Sequence, residues 1–138
     1  MGRILGIDHG NRRIGLALSD PMQIISKPLE TITYTNLKTV FEKLKILIRE
    51  KEVEKIILGL PLGMRGQDTD QTRQVREFGV LMESELLIKV DFEDERLSSL
   101  SARKILVLQG IKTGHEKGEV DKTAAAIILQ QHLDRVRN

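Results

Sequence analysis

Ile4-Leu5-Gly6-Ile7-Asp8-His9-Gly10 is the stretch on which the reading of this chain turns. A near-continuous apolar run ends there in a carboxylate. Such a run marks a strand buried on both faces of a sheet. A charge at its end needs a partner, since burying an unpaired carboxylate costs roughly several kcal/mol and is relieved by protonation, pairing or metal binding. Gly10 leaves out a side chain where a turn or a ligand needs room. Asp-x-Gly is also common turn chemistry, so Asp8 taken alone reads as a turn cap. A functional reading requires acids from distant parts of the chain to reach the same place.

Working outward, residues 3–8 and 13–19 read as two strands joined by a tight turn. Residues 24–34 read as a third, from the alternation in Leu29-Glu30-Thr31-Ile32-Thr33-Tyr34, and Pro28 argues for an edge position. Three strands with short connections suggest an antiparallel meander. The period then changes. Leu37, Val40, Phe41, Leu44, Leu47 and Ile48 recur at helical spacing, with Thr35 or Asn36 as N-cap. Ile56-Ile57-Leu58-Gly59-Leu60 is a short buried strand ended by Pro61 and Gly63. A second helix spans 70–86, capped by Asp68, Thr69 or Asp70, with Val75, Phe78, Gly79 and Met82 inward. Leu86-Leu87-Ile88-Lys89-Val90-Asp91-Phe92 reads as a fifth strand. A third helix starts at Ser98 or Ser99 and stops at Gly110, and residues 110–120 read as a mobile loop. Ala124, Ala125, Ile128, Leu129, Leu133 and Val136 line one face of a last helix.

The order β-β-β-α-β-α-β-α-α predicts an α/β fold. Its mixed five-stranded sheet has three antiparallel strands, then two parallel ones reached by right-handed crossovers, with helices flanking it. Ligands gather at the carboxyl ends of such parallel strands. Asp8, Pro61-Leu62-Gly63 and Glu93-Asp94-Glu95-Arg96 should therefore share one edge.

The bulk composition narrows the chemistry. The 138 residues make one domain of ordinary size, 1–138, with no repeat or linker to divide it. Hydrophobic residues are 40% and charged residues 30%, which argues against wholesale disorder. There are no cysteines, so disulfides, thiolate nucleophiles and Cys-ligated zinc are excluded, and a cytoplasmic location fits. No signal peptide and no apolar run of membrane-spanning length is present. A net charge of +2 permits a nucleic-acid partner without demanding one. Aromatics are scarce, which disfavours a base-stacking platform.

Asp91, Glu93, Asp94 and Glu95 form an acidic knot beside Arg96. A charged loop is the ordinary meaning of such a run. Here the knot follows a strand, and an Arg and a Ser pair suited to phosphate contact come after it. Asp121 opens the last helical pattern and reads either as an N-cap or as a third acid. Ala124, Ala125 and Ala126 after it allow that helix to pack closely on the sheet. If three carboxylates converge without a countercharge, repulsion makes the empty site unfavourable and a hard divalent cation relieves it. His9, His115 and His132 have no evident nucleophile. His132 reads as structural, and His115 as a candidate proton donor.

Four blocks in order carry a resemblance: Gly6-Ile7-Asp8-His9-Gly10-Asn11-Arg12-Arg13-Ile14-Gly15-Leu16-Ala17; Gly59-Leu60-Pro61 with Met64 and Gly66; Asp94-Glu95-Arg96-Leu97-Ser98-Ser99; and Lys117-Gly118 to Ala126 with Ile128-Leu129. On these the chain resembles the YqgF/RuvX family, described as Holliday junction resolvases and as nucleases for the 5′ end of pre-16S rRNA. The resemblance implies a ribonuclease H-like fold and phosphodiester hydrolysis dependent on Mg²⁺ or Mn²⁺. It makes Asp8, Glu95 and Asp121 the catalytic and metal-binding acids. Periodicity alone does not choose between Asp94 and Glu95. Arg12, Arg96 and Lys117 become phosphate contacts. His9 stands where many relatives have an aromatic residue. The implied partner is structured RNA or branched DNA, bound by a monomer or weak dimer. Two rivals remain: an ATP-handling fold of the sugar-kinase and actin type, and a non-catalytic nucleic-acid-binding assembly factor.

Overall fold

The computed structural model describes residues 2–96 and 117–137. The chain runs β1 (Arg3–His9), β2 (Arg13–Ser19), β3 (Ser26–Thr33), α1 (Leu37–Glu50), β4 (Val53–Leu60), α2 (Asp70–Leu86), β5 (Lys89–Asp94) and α3 (Lys117–Arg137). The five strands form one sheet in the order β3-β2-β1-β4-β5. β1 pairs antiparallel with β2, β2 antiparallel with β3, and β1–β4 and β4–β5 are parallel. This is the ribonuclease H-like arrangement expected. β3, which carries Pro28, lies at an edge as a strand proline requires.

Strand alternation sorts the apolar side chains into two layers. Leu5, Ile7, Ile14, Leu16, Ile56 and Leu58 pack with Val40, Phe41 and Leu44 of α1 and Val75, Phe78 and Met82 of α2. Ile4, Ala17 and Ile57 point the other way, against Ala125, Ile128, Leu129 and Leu133 of α3. On this second face the strands carry glycines. A Cβ at Gly6 would stand 2.8 Å from Leu129 Cβ, and one at Gly15 would stand 2.1 Å from the Asp121 carbonyl oxygen. The small residues of sheet and helix thus let α3 lie almost on the backbone of β1 and β2.

Asn36 caps α1 by accepting from the Thr39 N–H, and Thr69 caps α2 in a reciprocal box with Thr72. Several boundaries differ from those read in the sequence. The third strand occupies 26–33 rather than 24–34. The fifth begins at Lys89, because α2 runs to Leu86 and ends on Leu87 in the left-handed conformation, φ 52°. That break lies inside an apolar run with no glycine to announce it. The last helix begins at Lys117, so 117–120 are helical and not loop, and Asp121 sits in the second turn rather than at the N-cap. Val136 is 57% exposed and leaves the buried face that Ala125 to Leu133 define. The helix expected from Ser98 or Ser99 to Gly110, His115, and the rest of the expected loop lie outside the described residues.

Candidate active site

Asp8 lies near the end of β1, opposite Gly15 of β2. Alternation from Ile4 and Gly6 aims it at the α3 face, while His9 points to the opposite face and packs on Phe78 of α2, ring centroids 4.4 Å apart. Glu95 follows β5, its N–H bonded to the Leu60 carbonyl at 3.2 Å. Its side chain turns back over β4: a Cβ at Gly59 would stand 2.3 Å from Glu95 Oε2. Gly59 therefore makes room for a carboxylate. Asp121 reaches the same edge from α3, which the glycines hold close to the sheet.

Asp8 and Glu95 meet. The Asp8 pKa is raised well above the ordinary carboxyl range, first by burial, then by the charge of Glu95 and a hydrogen bond with it, then by the charge of Asp121. Glu95 is also raised, chiefly by burial and further by the charge of Asp94, while its hydrogen bond with Asp8 pulls the other way. Glu95 Oε2 is buried with no hydrogen-bond partner. An orphaned carboxylate oxygen beside a second burial-raised carboxyl is a site awaiting a cation or a proton.

The acidic knot is thus four different things. Asp91 approaches Lys55 at 3.7 Å. Asp94 is held by Arg96 at 2.7 Å, and the hydrogen bond from that guanidinium keeps its pKa low. Glu93, 4% exposed, receives Arg135 at 2.5 Å and Gln131 at 2.8 Å, with His132 Nδ1 3.4 Å away. Glu95 alone faces Asp8. These partners place Glu95 against Asp8 and Asp94 against Arg96.

Asp121 departs from expectation in one respect. It has a countercharge: Arg13 Nε donates to its Oδ2 at 2.7 Å. Among the described residues no three His, Asp or Glu side chains are gathered tightly enough to hold one ion. Two carboxyls are in place, and the third is engaged by Arg13. Nothing local in the sequence signals this role of Arg13, whose partner lies 108 residues away.

Arg12 is exposed and lines a cleft of about 220 Å³ with Gly10, Asn11, Arg13 and Asp121. Arg96 lines another of about 280 Å³ with Met64, Asp94 and Gln131. Lys117 is the first residue of α3, and its side chain lies outside the described part. His132 is 4% exposed and beside Glu93, in keeping with a structural role. Among the described residues no helix is long and apolar enough to cross a membrane.

Comparison with known proteins bears on this geometry. The family profile "RuvX: Holliday junction resolvase" matches residues 2–135. A relative from Dictyoglomus thermophilum named "Putative pre-16S rRNA nuclease" is 39% identical over 132 residues, 96% of this chain and 95% of its own. One of the same name from Clostridioides difficile is 41% identical over 133 residues, covering 96% and 94%. Among solved structures, Thermus thermophilus RuvC in complex with a Holliday junction aligns over 100% of this chain and 97% of its own. Its TM-score is 0.61 at 12% identity, a likeness of fold.

Proposed function

The chain belongs to the RuvX family, and from that premise we propose that it is a divalent-metal-dependent nuclease trimming the 5′ end of pre-16S rRNA in the cytoplasm. The observation that carries this reading is the Asp8–Glu95 pair. It joins two raised carboxyls and a buried, unpartnered oxygen at the rim where β1 and β5 end.

The donor set fits Mg²⁺ or Mn²⁺. Both take oxygen ligands, and Mg²⁺ is ordinarily held by one or two carboxylates together with waters and substrate phosphate. Asp8 and Glu95 would hold it, joined by Asp121 once that side chain leaves Arg13. When bound, a divalent ion lowers the pKa of a water and neutralises charge on a phosphodiester.

The protein's own residues do the rest. Asp8 and Glu95 would hold the ion in their ionised forms, which the protein alone disfavours: burial raises both carboxyls, the charge of Glu95 raises Asp8 further, and the charge of Asp94 raises Glu95. Arg12 and Arg13 line the cleft beside Asp121 and offer guanidinium donors to the phosphates of the strand. A guanidinium released from Asp121 gains a phosphate in exchange for a carboxylate. Arg96, fixed by Asp94, extends the basic surface along the same edge. His9 points to the opposite face of the sheet from Asp8 and takes no part in proton transfer there.

A second reading, resolution of four-way DNA junctions, is favoured by the family's description and by the backbone likeness to RuvC. The test is the purified chain, with Mg²⁺ or Mn²⁺, offered rRNA precursor, single strands and four-way junctions side by side. Cutting of the precursor near its 5′ end, lost in Asp8→Asn, supports the first reading. Symmetric nicking of junctions supports the second. Metal-independent binding without cutting leaves only an assembly factor.

A further inference from the structure

The Gly10–Asn11 turn separates two clefts of opposite character. On one side lies the charged cleft of Arg12, Arg13 and Asp121. On the other lies a cleft of about 350 Å³ lined by His9, Gly10, Asn11, Gln71 and Gln74. We propose that this second cleft is a nucleobase subsite, in which the amides of Asn11, Gln71 and Gln74 read the edge of one unpaired base flanking the phosphate held at the acidic rim. The proposal rests on the reading of the chain as a nucleic-acid-processing protein.

The lining is the argument. Among the described residues it contains no carboxylate, lysine or arginine. Among these residues phosphate would find no lysine or arginine. A base edge would find three carboxamides, each offering donors and an acceptor, the chemistry by which Asn and Gln pair with bases. No hydrogen bond engages these amides among the described residues. Gln71 and Gln74 stand one helical turn apart on the first two turns of α2, so both face the same cleft. The floor is rigid: His9 packs at 37° on Phe78, which in turn stacks on Phe41 with centroids 6.0 Å apart.

Continuity with the backbone cleft fixes which part of the substrate enters. Gly10 and Asn11 line both clefts. A strand whose phosphates run along Arg12 and Arg13 can turn one base over that edge into the amide cleft. A paired base has its edge committed to its complement, so the occupant is single-stranded.

The experiment measures binding in an Asp8→Asn background, where cutting does not intervene. Four single-stranded RNA oligomers of equal length, one per base, are titrated by fluorescence anisotropy at several salt concentrations. The expected result is a preference of about tenfold or more for one base, reduced to less than about twofold by Gln71→Ala with Gln74→Ala, with the salt slope unchanged. Arg12→Ala should weaken all four alike and lower the salt slope by about one. Both glutamines are exposed, and an unchanged Tm confirms that the variants fold. Equal affinity for all four oligomers, or a preference that survives the double substitution, overturns the subsite. So does an absence of binding. Base-selective binding by a chain that cuts nothing in its unsubstituted form refutes the nuclease reading and leaves the subsite standing.

Discussion

Glu93 and Glu95 lie two residues apart, and both turn toward α3, yet they are opposite in kind. Glu93 is surrounded: Arg135, Gln131 and His132 all come to it from α3, and its hydrogen bonds outweigh burial and lower its pKa. Glu95 meets another acid, its pKa is raised, and one oxygen has no partner. The first is a clamp between strand and helix. The second is a charge that the fold accommodates at a cost, which is the mark of a group kept for binding or chemistry.

The largest expected effect tests that contrast on activity. Asp8→Asn or Glu95→Gln should lower Mg²⁺-dependent cleavage by about 10²–10⁴-fold in single-turnover assays, while Glu93→Gln, in protein that remains folded, should retain most of it. Loss of activity in Glu93→Gln alone would erase the distinction.

The next effect is on stability, with a change of sign. Glu93→Gln removes the charge facing Arg135 and turns one of the two acceptor oxygens that Arg135 and Gln131 use into a donor, and should cost about 1–3 kcal/mol in denaturant unfolding. Glu95→Gln removes a strained charge and should raise Tm at pH 7 by about 2–6 °C. Equal signs would show that both acids are structural.

The pH dependence sharpens this further. Asp8 and Glu95 carry raised pKa values in the folded chain. Their ionisation therefore costs no stability below the ordinary carboxyl range of about pH 4, and the full cost once pH exceeds the raised values. Glu93, with a lowered pKa, contributes fully above that range and loses its contribution as pH falls through the lowered value. Melting curves of the two glutamine variants and the parent should differ in opposite directions at pH 7 and converge in acid.

The smallest expected effect concerns Arg13. Arg13→Gln should reduce nucleic-acid affinity less than about tenfold, with a salt slope lower by about one. It should also strengthen Mn²⁺ binding in the absence of substrate, measured by calorimetry, because Asp121 is freed.

What could be read in the sequence divides along the same line. Periodicity reports whether a side chain faces the core, so α1, α2 and four of the five strands stand near where the pattern puts them. It does not report which partner a polar group has. The fates of Asp91, Glu93, Asp94 and Glu95 depend on Lys55, Arg96, Arg135 and Asp8, most of them far away in sequence. The start of α3 was hidden because Gly118 weakens the helical pattern and the fully buried face begins only at Ala124. The start of β5 was hidden because Leu86-Leu87-Ile88 is apolar across a helix end. Asp121 reads from its own surroundings either as an N-cap or as a third acid, and the resemblance is what joins it to Asp8.

Because side chains alternate along β1, Asp8 and His9 are neighbours in the chain but occupy separate compartments, one acidic and one lined by amides. Inserting a single residue between Gly6 and Asp8 would carry the carboxylate to the place of His9, onto Phe78, and leave the rim position to an apolar or inserted side chain. The length of this strand therefore constrains the site as strictly as the identities of its residues do.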